Sequence, residues 1–240
     1  LCTANIKNDI GKCTYTHMLN EGGGIETDLT VVCIYKNHFR IISSAATRER
    51  DKFHINKHLS KNVELKDITD DLCVFGLFGP KSRDLLKTLS KDNFENDQFR
   101  FGFAKFITID GIKIWAQRLS YVGELGFELY VDLKDAKKIY ELLIEKGKDL
   151  NLSNCGMHAL DTMRMESGSL HWGHDISPEE NQYQAGLAFT ISNKKDVDFI
   201  GKQALEKIKQ NKVKTRFSMF TLKESEPGKP LLLHDEPIYI

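Results

Sequence analysis

Apolar and β-branched residues of this chain are grouped into short runs that polar turns interrupt, a pattern typical of β-strands. The pattern predicts strands over residues 13–20, 25–36, 39–44, 100–109, 112–119 and 127–131. Glycines at 22–24 and the pair Asp110-Gly111 separate neighbouring runs. Because such turns join antiparallel strands, we expect consecutive runs to pair as hairpins.

Three further runs also indicate strands. Residues 72–78 are continuously apolar and predict a buried strand, which Gly79-Pro80 ends. Residues 187–191 and 216–222 predict two more strands.

Apolar residues spaced three and four apart predict helices. These cover residues 48–59, with Thr47 as the N-cap, and residues 82–89, 133–150, 156–166 and 200–208. Helices and strands interleave, but tight turns join the strand pairs. The predicted fold class is therefore α+β, with antiparallel sheets and flanking helices and not a doubly wound parallel sheet.

Composition excludes several classes of function. Lys and Arg number 34, as do Asp and Glu, so there is no basic excess of the kind that nucleic-acid binding requires. No run of about 18 apolar residues predicts a membrane span. Five scattered cysteines without a CxxC pair predict buried thiols in a reducing compartment, the cytoplasm or the matrix of a mitochondrion.

The turn at residues 120–130 is the most informative stretch. Gly123 and Gly126 allow the chain to fold back closely, and the turn presents one aromatic residue, Tyr121, and one carboxylate, Glu128. An aromatic face and a carboxylate together suit a flat heterocycle with a donor edge. The alternative is a β-hairpin with a surface glutamate.

Asp28 is the candidate for the chemistry. It follows the glycine turn on a β-rich run, where a carboxylate is unfavourable unless it is paired or used. Glu26 lies on the same strand face by the period of two and is its competitor. An edge-strand aspartate that faces water is the alternative.

The sequence lacks the motifs of metal, dinucleotide and serine-hydrolase sites. The turn at residues 171–175 contains His171, His174 and Asp175, but no further metal ligand is recognisable nearby. Neither glycine cluster has the G-x-G-x-x-G spacing of a dinucleotide site, and there is no G-x-S-x-G elbow. We expect neither a metal nor FAD on this chain itself.

Four ordered segments carry a family resemblance. These are residues 15–31, 120–130, 159–175 and 185–205. Together they resemble the aminomethyltransferase (T-protein) family of glycine cleavage and, more closely, the C-terminal halves of dimethylglycine and sarcosine dehydrogenases. Leu160, where the T-protein carries arginine, favours the dehydrogenase branch, while Val122 and Gln184 also depart from common residues of the family.

The resemblance implies a fold and a site. It implies a folate-binding region at residues 1–190 around a central folate pocket, then a linker helix and the start of a C-terminal β-barrel at 191–240, in a fragment of a longer chain. The implied catalytic residue is Asp28. The implied folate-binding residues are Tyr15, Asp28, Leu29, Thr30, Tyr121, Glu128, Leu129, Tyr130 and Phe189.

The resemblance also implies an activity, tetrahydrofolate-dependent one-carbon transfer that forms 5,10-methylenetetrahydrofolate. An N-methyl amine would be oxidised to an iminium by an FAD domain upstream in the parent chain, so folate and the amine are the implied small-molecule partners. The alternative is a non-catalytic regulatory or interaction module on the same fold. The sequence leaves the identity of the amine and the oligomeric state open.

Overall fold

The computed structural model describes residues 1–193, 198–221, 226, 229, 236, 237 and 239. Within these residues the strands are β1 (Cys13–Leu19), β2 (Ile25–Tyr35), β3 (His38–Ile42), β4 (Leu72–Phe78), β5 (Ala104–Ile109), β6 (Ile112–Gln117) and β7 (Gly126–Asp132). The α-helices are α1 (Arg48–Lys57), α2 (Ser82–Leu89), α3 (Leu133–Gly147), α4 (Met157–Glu166) and α5 (Lys202–Gln210). None of these helices is long and apolar enough to cross a membrane.

The strands form two antiparallel sheets. The first has the order β1-β2-β3, and the second has the order β4-β7-β6-β5. The predicted hairpins β1–β2 and β5–β6 are confirmed. In the first sheet His17 lies opposite Asp28, and in the second Gln117 lies opposite Glu128. The mixed fold with antiparallel sheets is confirmed.

The two sheets pack face to face, with helices outside. One face of the second sheet contacts α2 and α3 in a core that includes Leu86, Phe127, Leu129 and Ile139. Its other face packs against the first sheet, through a cluster that contains Cys13, Val32, Trp115 and Tyr130. The outer face of the first sheet contacts α1 through Leu29, Val31 and Ile55. Side chains between the sheets are therefore the even-numbered ones of β2 and β7 and the odd-numbered ones of β1.

Strand β4 corrects one prediction. Residues 72–78 do form a strand, but only Leu77 is buried and Val74 is 49% exposed. The reason is position, since β4 is an edge strand of its sheet and pairs with β7 alone among the strands that the structure describes. A continuous apolar run does not distinguish an edge strand from a central one.

Residues 187–191 correct a second prediction, because they form no strand. Ala188–Thr190 is a 3-10 turn. The amide and the hydroxyl of Thr190 both donate to the carbonyl of Leu187, at 3.0 and 2.7 Å. A threonine side chain that bonds the local backbone competes with strand pairing in this way.

The C-terminal predictions are only partly accessible. Residues 216–221 have no regular structure, so the predicted strand is wrong over that part, and residue 222 lies outside the described residues. The start of a β-barrel falls largely on residues outside the described ranges and stays a prediction.

The cysteines correct a last prediction. All five are free, but only Cys13 and Cys33 are buried, and Cys155 is exposed. Cys155 lies in the irregular segment before α4, where no strand buries it.

Candidate functional site

Tyr15 and Asp28 form a hydrogen-bonded pair between the sheets. They lie on neighbouring strands of the first sheet, and the Tyr15 hydroxyl donates to Asp28 Oδ2 at 3.1 Å. Asp28 is half-buried. Burial raises the pKa of Asp28 above its ordinary value, which the hydrogen bond from Tyr15 opposes. The pair therefore places a carboxyl group with a raised pKa beside a tyrosine hydroxyl, two groups that can exchange a proton with a bound molecule.

Glu26 shares the strand face of Asp28 but is already paired. Its Oε1 lies 2.5 Å from Nη2 of Arg50 in α1, and the Arg50 guanidinium stacks over the Trp172 ring at 4.5 Å. No ion pair to Asp28 occurs among the described residues. Of the two carboxylates, Asp28 is therefore the one whose charge is left for a ligand.

Glu128 projects from the second sheet toward the first. The Tyr130 hydroxyl donates to Glu128 Oε2 at 2.8 Å, and the Arg40 guanidinium lies 5.4 Å from the centre of the Tyr130 ring. Burial raises the pKa of Glu128, which the bond from Tyr130 opposes. Burial, and after it the negative charge of Glu128, raises the pKa of Cys13 on β1 to about 12.

Two glycines explain the turn that leads to Glu128. Gly123 has φ +76°, and a Cβ there would lie 2.8 Å from Cβ of Ser167. A Cβ at Gly126 would lie 2.6 Å from the carbonyl oxygen of Leu119. These close approaches require glycine. The turn places Tyr121 so that its hydroxyl donates to the carbonyl of Leu170 at 3.2 Å.

The remaining predicted residues fall into two groups. Thr30 lies between the sheets, opposite Tyr15, and Phe189 is 78% exposed on the 3-10 turn. Leu29 and Leu129, in contrast, point into the two helix-facing cores and are 3% and 0% exposed. Their side chains point away from the space between the sheets, so a folate contact of either residue would come from its backbone, as the resemblance implies for Leu29. Both contacts stay predictions.

Sequence reasoning missed several polar residues of this region. His17 is fully buried beside Tyr15, with ring centroids 5.1 Å apart, and Gln117 is fully buried opposite Glu128. Cys13 Sγ lies 3.7 Å from Gln117 Oε1. The signal was available for β1, because the period of two places Cys13 and His17 on the face of Tyr15.

The histidine turn is held by a buried ion pair. Arg164 of α4 is 2% exposed and donates to Asp175 Oδ2, to Asp161 Oδ1 at 2.7 Å and to the carbonyl of Ser169 at 3.2 Å. Asp175 is thus committed to an arginine. No group of three or more His, Cys, Asp or Glu side chains within the described ranges could hold a metal ion.

A separate cleft of about 860 Å³ opens on the far side of Glu26 and Arg50. It lies between α1, the turn at residues 20–22 and residues 198–203. Neither Asp28 nor Glu128 lines it. The carboxylates between the sheets, and not this cleft, define the candidate site.

Comparison with known proteins places the chain in a family. The family model of the GCVT N-terminal domain matches residues 1–195. The chain is 35% identical over 238 residues to 4-methylaminobutanoate oxidase (formaldehyde-forming) of Paenarthrobacter nicotinovorans, covering 99% of this chain and 28% of that protein. It is 33% identical over 222 residues to mitochondrial dimethylglycine dehydrogenase of Homo sapiens, covering 91% of this chain and 26% of that protein.

The chain therefore spans about a quarter of the length of these two relatives, both of which are enzymes. Among solved structures, glycine cleavage system aminomethyltransferase T from Bartonella henselae has the same fold, with a TM-score of 0.73 at 23% identity over 88% of this chain and 56% of that one. The chain belongs to the GCVT N-terminal domain family, the family that the sequence motifs indicated.

Proposed function

We propose that this chain binds tetrahydrofolate between its two sheets and supports one-carbon transfer to it. One observation carries the proposal. Two half-buried carboxyl groups with raised pKa values, Asp28 and Glu128, lie on strand faces that point between the two sheets, and each accepts a hydrogen bond from a tyrosine hydroxyl. A buried carboxylate without a full set of partners is costly unless a ligand uses it.

The two carboxylates have different roles in this proposal. Glu128 accepts hydrogen bonds from the amino and ring N–H groups of the pterin, and Tyr121 covers the ring face. Phe189, which is 78% exposed on its turn, contacts the benzoyl part of the folate. Asp28 lies near the reacting nitrogens.

The transfer itself requires an iminium, R₂N⁺=CH₂, made by oxidation of an N-methyl amine. A folate nitrogen attacks the methylene carbon, and the π electrons move to the amine nitrogen. The proton of the attacking nitrogen passes through the carboxylate of Asp28 to the amine nitrogen, which leaves as R₂NH. The second folate nitrogen then attacks the methylene carbon and loses its own proton to water, which completes 5,10-methylenetetrahydrofolate. Asp28 accepts the proton and stabilises the developing positive charge, while the sheets hold the reactants in place.

In this proposal the oxidation occurs in an FAD domain upstream in the parent protein, as in a dimethylglycine or sarcosine dehydrogenase. Neither glycine cluster, residues 22–24 or Gly123 and Gly126, has the dinucleotide-binding spacing. In this proposal the 240 residues therefore supply the folate site, and the flavin site belongs to the upstream domain. The compartment would be the cytoplasm or the matrix of a mitochondrion.

Replacing Glu128 by glutamine tests the binding mode. The substitution keeps the size of the side chain but removes the charge-assisted bonds, so we expect the affinity for tetrahydrofolate to fall by about 1.5–3 kcal/mol. Calorimetric titration with tetrahydrofolate measures this. Glu124→Gln, an exposed position in the same turn, is the matched control and should leave the affinity unchanged. Equal dissociation constants for Glu128→Gln and the wild type would place the ligand elsewhere.

Substitutions of Tyr121 separate its ring from its hydroxyl. Tyr121→Ala removes both, whereas Tyr121→Phe removes only the bond to the carbonyl of Leu170. We expect alanine to weaken tetrahydrofolate binding by about tenfold and phenylalanine by less, because the aromatic face makes the contact. Fluorescence or calorimetric titration gives both constants. If phenylalanine is as damaging as alanine, the stacking role is wrong.

A further inference from the structure

Five polar side chains form a buried cluster next to the candidate site. We call it the His17 network. Its members are at most 4% exposed, and they are Thr3, Thr16, His17, Gln182 and Thr190. They come from the N-terminal segment, strand β1, the turn before the 3-10 turn and the 3-10 turn itself. Most polar groups that are so deeply buried are hydrogen-bonded.

The hydrogen bonds of the network converge on Gln182. Its Nε2 lies 2.5 Å from Thr190 Oγ1, 3.0 Å from His17 Nδ1 and 3.1 Å from Thr3 Oγ1. Because Nε2 has two hydrogens, it can donate to Thr190 and Thr3. Its approach to His17 Nδ1 is then a contact and not a hydrogen bond, which leaves His17 as a donor. The network therefore joins segments that are far apart in the sequence.

The hydroxyl of Thr190 fixes the direction of the hydrogen bond between Thr190 and His17. Its single proton goes to the carbonyl of Leu187, 2.7 Å away, so Oγ1 acts as an acceptor inside the network. His17 Nδ1, 3.0 Å from that oxygen, carries the ring proton in this arrangement. Burial lowers the pKa of His17 to about 4, which keeps the ring neutral. This tautomer is assigned from the bonds of its partners.

The two ends of the network carry residues of the candidate site. Thr190 is the only buried residue of the 3-10 turn, and the residue before it is the exposed Phe189. His17 lies two residues after Tyr15 on one strand face and opposite Asp28. The turn that carries Phe189 is thus held by polar bonds to the strand that carries Tyr15.

We propose that the His17 network positions Phe189 relative to the Tyr15–Asp28 pair, so that His17, Gln182 and Thr190 are positioning residues of the ligand site. This inference rests on the proposed function, since it assigns Phe189 to the folate. Buried polar networks hold one geometry and lose it when a bonded member is removed. Here His17 Nδ1 and Gln182 Nε2 are bonded, whereas His17 Nε2 and Gln182 Oε1 have no partner among the described residues. The network therefore sets where the aromatic contact falls, while its members do not touch the ligand.

A double-mutant cycle on the full-length protein tests this, with tetrahydrofolate as the titrant. Thr190→Val keeps the shape and removes the acceptor, and Phe189→Ala removes the aromatic contact. We expect each to weaken binding by about tenfold, and the double variant to bind no more weakly than Phe189→Ala alone. Thr190→Ser keeps the hydroxyl and should bind within about threefold of the wild type.

Additive losses in the double variant, or full affinity in Phe189→Ala, would overturn the inference. Failure of the wild type to bind tetrahydrofolate would instead overturn the proposed function.

Should Thr190→Val not fold, substitutions of His17 test the same inference. Asparagine places a polar atom near Nδ1 and should retain most of the affinity, whereas glutamine places it near Nε2 and should not. The reverse order would show that Nε2, which has no partner among the described residues, is the important atom.

Discussion

The full-length protein with Asp28→Asn should oxidise its amine at an unchanged rate but convert less of it to 5,10-methylenetetrahydrofolate. Its affinity for tetrahydrofolate should stay within about threefold of the wild type, because the carboxylate acts mainly as charge develops on the folate nitrogen. The rate of transfer should fall by about a hundredfold, the typical contribution of one positioned proton acceptor. The unconverted iminium should hydrolyse, so free formaldehyde should rise in proportion.

The measurement is the ratio of methylenetetrahydrofolate to formaldehyde per amine oxidised. Glu26→Gln is the matched control, since Glu26 lies on the same strand face but is paired with Arg50 at 2.5 Å. It should leave the ratio unchanged. An unchanged ratio in Asp28→Asn would make that carboxylate structural, and a ratio that moves only in Glu26→Gln would assign the chemistry to Glu26. The name of one relative, 4-methylaminobutanoate oxidase (formaldehyde-forming), shows that formaldehyde release occurs among related proteins.

The two carboxylates also show what sequence can and cannot decide. Alternation along the strand correctly placed Glu26 and Asp28 on one face, because that period is a property of the local backbone. The alternation could not decide which of the two carboxylates is free of an ion pair. The partner that neutralises Glu26 is Arg50, which is 24 residues away on helix α1, and only the packing of that helix onto the sheet brings the two together.

The same period of two places Leu29 and Leu129 on the strand face opposite to that of their sequence neighbours. Each is flanked by polar site residues in the sequence, and each points to the opposite face, into a core. Sequence similarity transfers a whole stretch at once, whereas a strand presents only every second side chain to a ligand. For Leu29 and Leu129 this alternation leaves the backbone as the group that a ligand between the sheets could contact.

Hairpins were predictable because their signals are local, as the pair Asp110-Gly111 between β5 and β6 shows. The 3-10 turn at Ala188–Thr190 was not. Its apolar residues resemble a short strand, but its conformation is held by Gln182 and by His17 at 3.0 Å from Thr190, a contact that spans 173 residues of sequence. The order β4-β7-β6-β5 is equally non-local. Both depend on contacts between residues that are far apart in the sequence, which a short stretch of sequence does not show.

The buried ion pair of Arg164 and Asp175 should have the largest effect on stability. Both side chains lie almost out of water, at 3% and 13% exposure. Arg164→Met leaves the Asp175 carboxylate without its cation in a place where water cannot compensate. We expect the free energy of unfolding to fall by about 3–5 kcal/mol, the usual consequence of removing one partner of a buried pair.

Urea denaturation of the 240-residue chain, followed by tryptophan fluorescence, measures this loss, because Trp172 lies in the turn that Asp175 ends.

Lys138→Met is the matched control. Lys138 Nζ lies 2.6 Å from Asp110 Oδ2, but both side chains are more than half exposed. Such a surface pair contributes at most about 1 kcal/mol. Equal losses in the two variants would show that burial does not set the strength of the Arg164 pair. Arg164→Met should also weaken tetrahydrofolate binding, since the turn that it holds follows Leu170, whose carbonyl accepts the Tyr121 hydroxyl.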